Sequence, residues 1–333
     1  MTGPKHAVWQ QAIDALEQVR DASGIVVVAA HVNPDGDALG SLSAVHAGLV
    51  AGGWRSVPTW GNSTFRVPPD LEIIPGLADV VPPSQVPDNP ALLVTVDIAA
   101  EGRLGMLRHL ADGRCPILVL DHHASNTDFG DIRLVDPDAA GTVVVAAELL
   151  ERLGVELSTE SRTALHVGLL ADTGGFLHSN TDAAALRLAA DFVEAGVDHA
   201  GLATKLFATR SLAWLDVLRR VLDRLEFHDE VGLVASRITL DDLAETGTTF
   251  DALEGIIDVL RSAEEAHVTM LAKEHGEGRW SVSLRSDGSV DVTAIAAAWE
   301  GGGHARAAAF STDDGPDEVA QKVAASLAAL LAG

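Results

Sequence analysis

Ile25-Val26-Val27-Val28-Ala29-Ala30-His31-Val32-Asn33-Pro34-Asp35-Gly36-Asp37 is the stretch on which the fold turns. Its first six residues are apolar without alternation, the pattern of a strand covered on both faces. It then stops abruptly in ionisable residues. Two further runs repeat the arrangement. Ala91-Leu92-Leu93-Val94-Thr95-Val96 is followed by Asp97, and Ile117-Leu118-Val119-Leu120 by Asp121-His122-His123. Helical spacing of apolar residues precedes the first run at 7–22, through Val8, Ile13, Leu16 and Val19. It recurs at 38–51, where Gly52-Gly53 ends it, and at 103–111. Strands alternating with helices predict an α/β fold with a mostly parallel sheet flanked by helices. The carboxyl ends of such strands share one edge, where ligands bind. The three ionisable clusters should therefore converge, although they are far apart in sequence.

Outward from this core the pattern changes. Polar segments bearing Pro and Gly at 61–69 and 82–90 read as surface loops. Residues 142–225 are almost entirely helical by pattern, ending in an amphipathic stretch at 211–225. Strands are then expected at 231–236, 268–273 and 280–285, and helices at 250–263 and 316–331. Trp280, Val282 and Leu284 alternate with Ser281, Ser283 and Arg285, the period of a half-exposed strand. The expected organisation is a catalytic domain at 1–190, a helical linker at 191–225 and a smaller C-terminal α/β domain at 226–333.

Charge narrows the partners. The 333 residues carry 48 acidic against 23 basic side chains. That balance disfavours a protein that coats long DNA or RNA, which needs many cationic phosphate contacts, and disfavours anionic membranes. Cations and a few placed arginines can still reverse the sign locally for a small anion. The single cysteine, Cys115, excludes an intrachain disulfide and reads as a structural thiol. No basic stretch followed by an apolar signal core opens the chain, and no apolar run approaches a membrane span. A cytoplasmic protein is expected.

Taken singly, the ionisable groups have ordinary readings. Asp35-Gly36-Asp37 suits a turn, and Asp97 a helix cap. Asp172, in Gly168-Leu169-Leu170-Ala171-Asp172-Thr173-Gly174, ends a helical pattern. Gathered at one edge, four carboxylates and two or three histidines would repel and raise one another's pKa values. A pair of divalent cations removes that cost. Mixed carboxylate and imidazole donors without thiolate suit Mn²⁺, with Mg²⁺, Fe²⁺ and Zn²⁺ as alternatives.

The order His31-x-Asn33-Pro34-Asp35-Gly36-Asp37-Ala38, then Asp97, then Asp121-His122-His123, then Asp172-Thr173-Gly174 resembles the four-motif pattern of the DHH phosphoesterases. Gly301-Gly302-Gly303-His304 resembles the substrate-binding domain associated with them. The resemblance spans nearly the whole chain and is strongest to the bifunctional oligoribonuclease and pAp phosphatase branch, the NrnA type. It implies that His31 and Asp35 hold one Mn²⁺, that Asp37, His122 and Asp172 hold another, and that Asp97 bridges them. Asp121 would orient a ligating histidine, and His123 would meet the substrate phosphate and aid the leaving oxygen. Arg103 is an expected phosphate contact. Arg285, Ser286, Gly302, Gly303 and His304 are expected to grip substrate across a cleft from the cations. Glycine backbone there can present N–H groups to an anion, with a helix expected to follow. Homodimerisation is implied by resemblance alone.

Two departures stand out. The segment after Asp97 reads Ile98-Ala99-Ala100, where relatives carry polar residues, and Ala307-Ala308-Ala309-Phe310 replaces a glycine-bearing ending. The expected function is hydrolysis of very short RNA and of pAp, extending to linear or cyclic dinucleotides such as cyclic di-AMP. Polyphosphate or pyrophosphate hydrolysis, and a non-catalytic dinucleotide sensor, are the alternatives.

Overall fold

The structure, a computed structural model, describes residues 4–253, 255–276 and 278–331. It divides into two compact units, Met1–Thr209 and Arg210–Gly333. In order, the first unit contains α1 (His6–Asp21), β1 (Ile25–Ala30), α2 (Gly36–Ala51), β2 (Arg55–Trp60), β3 (Leu92–Val96), β4 (Ile117–Asp121) and β5 (Ile132–Val135). Helices α3 (Thr142–Arg152), α4 (Thr159–Asp172), α5 (Ala183–Glu194) and α6 (His199–Ala203) follow. Among the described residues, β1–β5 form an all-parallel sheet in the order β2-β1-β3-β4-β5.

The apolar run of β1 has the burial its composition demands. Val26, Val28 and Ala30 face a core shared with Trp9 and Leu16 of α1 and with α2, α3 and α4. Val27 and Ala29 face a second core with Leu104, Leu107 and Leu110. Those three leucines belong to a 3₁₀ segment, Glu101–Ala111, broken at Gly105 (φ 55°), where an α-helix was expected. Beyond the break, Leu107 and Leu110 are three residues apart, the 3₁₀ period, and so share one face. The edge strands β2 and β5 have no apolar run to announce them; β2 even contains Pro58, tolerated at an edge. The long helical pattern at 142–225 is broken into separate helices by Gly154, Gly174, Gly175 and Gly196, all with positive φ.

Helices α2 and α4 touch backbone to backbone. A Cβ at Gly40 would lie 2.5 Å from the carbonyl oxygen of Ala164. An alanine in a helix interior normally stabilises by about 1 kcal/mol relative to glycine. Here Gly40→Ala is expected to reverse that sign and cost about 2 kcal/mol in urea unfolding, because a carbonyl cannot yield as a side chain can. Unchanged or increased stability would refute the close approach. The contact matters for function because α2 begins beside Asp37 and α4 ends at Asp172.

The second unit contains α7 (Leu212–Asp223), β6 (Glu226–His228), β7 (Leu233–Ile238), α8 (Leu240–Thr246), α9 (Ile256–Arg261), β8 (Val268–Gly276) and β9 (Arg279–Ser286). Then come α10 (Val292–Ala296), β10 (Gly302–His304), β11 (Ala307–Thr312) and α11 (Pro316–Leu331). Its sheet runs β10-β11-β9-β8-β7-β6, antiparallel except for the β7–β8 pair. One face packs on α10 and α11, the other on α7 and α9.

Two sequence expectations change here. The span 191–225 is not one linker: the division falls after Thr209, and Trp214, Val217 and Val221 of α7 are buried in the second unit's core. The segment after Gly301-Gly302-Gly303-His304 is not a helix. β10 and β11 form a hairpin with Gly303 paired to Ala308, and β11 continues along β9. Small alanines there line a strand pressed between neighbours, a pattern that composition cannot separate from a helix.

Candidate metal centre

The three ionisable clusters meet at the carboxyl edge of the first sheet. His31 follows β1 directly, Asp97 follows β3, and Asp121 is the last residue of β4. Asp35 caps α2, its carboxylate accepting from Ala38 N at 3.0 Å, and Asp37 lies in that helix's first turn. Asp172 arrives from α4. His31, Asp37, Asp97 and Asp121 are each under 5% exposed, so these charges are held out of water.

The ligand atoms fall into overlapping groups. His31, Asp35 and Asp97 offer atoms all within 4.8 Å of one another, as do Asp37, His122 and Asp172, and also Asp97, His122 and His123. Asp97 is the hinge. Its Oδ2 lies 3.4 Å from His31 Nε2, and its Oδ1 lies 3.9 Å from His122 Nε2 and 3.5 Å from His123 Nδ1. His122 Nε2 is 3.5 Å from Asp172 Oδ2 and 3.9 Å from Asp37 Oδ2. Asp97 adopts a left-handed backbone (φ 60°), uncommon for a non-glycine residue and typical of strain at functional sites.

Electrostatics show the cost of this gathering. Burial, then the charges of Asp97, Asp172 and Asp35, push the Asp37 carboxyl well above its usual range. Burial raises Asp172 to about 6, with Asp97 and Asp35 adding to the shift against His122. Burial would raise Asp97 too, but the hydrogen bond from His31 and the imidazolium charges hold it low. Such a set is relieved by positive charge, and its oxygen and nitrogen donors fit hard or borderline divalent cations.

Asp121 does not orient the expected partner. Its Oδ1 receives a 2.7 Å hydrogen bond from His123 Nδ1, whereas His122 Nδ1 faces the carbonyl oxygen of Ala139 at 3.3 Å. Extended backbone puts residues i and i+2 on one side, so Asp121 reaches His123 and not His122. The pairing raises His123 to about 9, against the opposing effect of burial. Asn126 completes the dyad, donating to Asp121 Oδ2 at 2.5 Å.

Arg103 sits at the rim, its guanidinium 2.7 Å from His31 Nδ1, which is also 2.9 Å from the carbonyl oxygen of Val32. The guanidinium only donates and the carbonyl only accepts, so Nδ1 serves one at a time. A cation held at Nε2 would leave the ring proton on Nδ1, where it would favour the Val32 carbonyl oxygen over Arg103. In the second unit Arg285 is half-buried on β9 opposite Ala307, and Ser286 is buried with its hydroxyl accepting from Gly288 N at 3.0 Å. Gly302, Gly303 and His304 form β10.

Residues that sequence inspection passed over are Thr142, which donates to Asp97, and Asn180, whose Nδ2 lies 3.3 Å from Asp172 Oδ2. Neither carries a local signal, because each contact is made by tertiary approach. Other histidines pair elsewhere: His46 with Ser56 and His166 with His199. His178 Nδ1 donates to the carbonyl oxygen of Asp172 at 3.1 Å.

The chain also matches known proteins. Residues 25–170 match the N-terminal domain of the DHH family, and residues 230–332 match the DHHA1 domain. The chain is 30% identical to the bifunctional oligoribonuclease and PAP phosphatase NrnA of Thermus thermophilus, over 92% of this chain and 89% of that protein. The chain belongs to the DHH family. It is thus a phosphoesterase, a hydrolase whose family pattern implies divalent-cation chemistry. The Bacillus subtilis NrnA is a second relative of this DHH protein, 26% identical over 86% of this chain and 88% of the relative. An exopolyphosphatase-related protein from Bacteroides fragilis shares the fold, with a TM-score of 0.90 at 21% identity, covering 99% of this chain and 98% of that one.

Proposed function

We propose that this chain hydrolyses the phosphodiester of very short oligoribonucleotides and the 3′-phosphate of pAp, at a centre of two Mn²⁺ ions. Dinucleotides, linear or cyclic, fall within the same substrate class. The observation that carries the reading is the convergence of His31, Asp35 and Asp97 with Asp37, His122 and Asp172 around a shared carboxylate. The names of the Thermus and Bacillus relatives support the substrates. A net charge of −25 supports short ones, because long strands demand an extended cationic track.

His31 and Asp35 are assigned to one cation, Asp37, His122 and Asp172 to the other, and Asp97 to both. Bound divalent cations acidify a water and neutralise charge on phosphoryl oxygens. The chain's own residues do the rest. Asp121 keeps His123 protonated, so that Nε2–H can donate to the leaving oxygen. Arg103, once released from His31, offers a bidentate grip on a phosphate. Arg285, Ser286, Gly302, Gly303 and His304 supply the second unit's anion contacts through a guanidinium, a hydroxyl and backbone N–H groups. A cytoplasmic location and a homodimeric state belong to the same proposal. Among the described residues no helix is long and apolar enough to cross a membrane.

The test is a product time course on a labelled diribonucleotide, a long RNA, pAp, cyclic di-AMP and pyrophosphate. Each is run in excess chelator, then with Mn²⁺ or Mg²⁺ restored. Chelator is expected to abolish turnover and Mn²⁺ to restore it best, with diribonucleotide and pAp consumed fastest. Full turnover in chelator would remove the cation reading, and preference for pyrophosphate would remove the nucleotide one.

A further inference from the structure

Asp37 and Asp97 come from different βα junctions, yet one short segment holds both. It is the start of α3. The first N–H groups of a helix have no intrahelical acceptor, and Gly141, preceding α3, has no side chain to cap them. Asp37 takes that role from 105 residues away in sequence, accepting from Thr142 N at 2.6 Å and from Val143 N at 2.9 Å. The Thr142 hydroxyl turns to the other acid and donates to Asp97 Oδ1 at 2.8 Å. Thr142 is fully buried.

The ring nitrogens of His31, His122 and His123 also lie beside Asp97, at 3.4, 3.9 and 3.5 Å. A histidine nitrogen that gives its lone pair to a cation no longer donates a hydrogen bond. The Thr142 hydroxyl is indifferent to cation binding. It is therefore a neutral donor that can hold the Asp97 carboxylate in one plane before and after loading. Its β-branched side chain, fixed at a helix start, has few alternative rotamers. We propose that Thr142 is a positioning residue: its backbone N–H anchors Asp37 and its hydroxyl orients Asp97, so that α3 sets the relative geometry of both acids. This rests on the reading of the site as a divalent-cation centre.

The test uses the full chain, stripped of metal, as wild type, Thr142→Val, Thr142→Ser and Thr142→Ala. Three quantities are read: Mn²⁺ affinity by calorimetry, melting temperature in chelator and with Mn²⁺, and kcat and KM on a diribonucleotide. Thr142→Val, which removes the donor and keeps the shape, is expected to weaken Mn²⁺ binding about 10–100-fold. It should lower kcat while KM stays within about twofold. Its melting temperature in chelator should match wild type, whereas the rise on adding Mn²⁺ shrinks. Thr142→Ser keeps the hydroxyl and should restore Mn²⁺ affinity to near wild type. If Thr142→Val does not fold, Thr142→Ala against Thr142→Ser decides on the same expectations. Wild-type Mn²⁺ affinity in Thr142→Val, or equal impairment in Thr142→Ser, overturns the proposal and leaves the cation centre standing. Failure of the wild type to bind Mn²⁺ overturns the centre itself.

Discussion

Asp97→Asn is expected to lose divalent-cation binding and to lower kcat/KM by about three to four powers of ten, with the fold intact. The magnitude follows from the several kcal/mol that cations contribute to transition-state charge. The substitution isolates charge. Asparagine has the shape of aspartate and tolerates the left-handed backbone at this position (φ 60°), which alanine would strain. One of the charges that push Asp37 and Asp172 upward disappears at the same time. That relief is offset by the lost attraction of His31 and the neighbouring imidazoles, which hold Asp97 low, so in chelator the variant should melt close to wild type, while the Mn²⁺-induced rise vanishes. Equilibrium dialysis with metal analysis, paired with melting curves, checks both halves. Retained stoichiometric cation binding would remove Asp97 from its shared position.

The second large effect concerns protons. His123→Gln is expected to reduce turnover of a diribonucleotide about 10²–10⁴-fold. It should reduce turnover of a 4-nitrophenyl phosphodiester far less, because that leaving group needs no proton. The activity requires the protonated ring, so it is present below the ring's pKa and lost as pH rises through it. Asp121 raises that pKa to about 9, and bound cations act in the opposite direction, so about 9 is a ceiling for the alkaline limb. Asp121→Asn removes the charge that holds the proton. Its alkaline limb should move to lower pH by about 1–3 units. A pH–rate profile for wild type and Asp121→Asn measures this directly. An unmoved limb would separate the dyad from the proton transfer, whatever the loss in rate.

Much of the first unit was legible from residues 25–37. A run of six apolar residues has only one comfortable place in an α/β fold, between two layers of helices, and β1 occupies it. The strands that escaped notice, β2 and β5, lie at the sheet edges, where half-covered residues need no apolar run. The second unit was less legible. Ala307-Ala308-Ala309 is as good a helix sequence as a strand one, and only pairing to Leu284 and Gly303 settles it as β11. The span 191–225 misled for a related reason. An amphipathic helix announces that one face is covered but not by what, and α7 turned out to cover the second sheet.

The sequence by itself determined which groups would end the strands, and in what order, because burial and alternation are local properties written every two to four residues. Tertiary structure alone decided their partners. Asp121 meets His123 through backbone direction at a strand end, Asp37 caps a helix 105 residues away, and Thr142 reaches Asp97 across 45. A carboxylate accepts from whichever donor, and a backbone N–H donates to whichever acceptor, the packing delivers. That choice is made by the whole chain's closest approach, which no local pattern encodes.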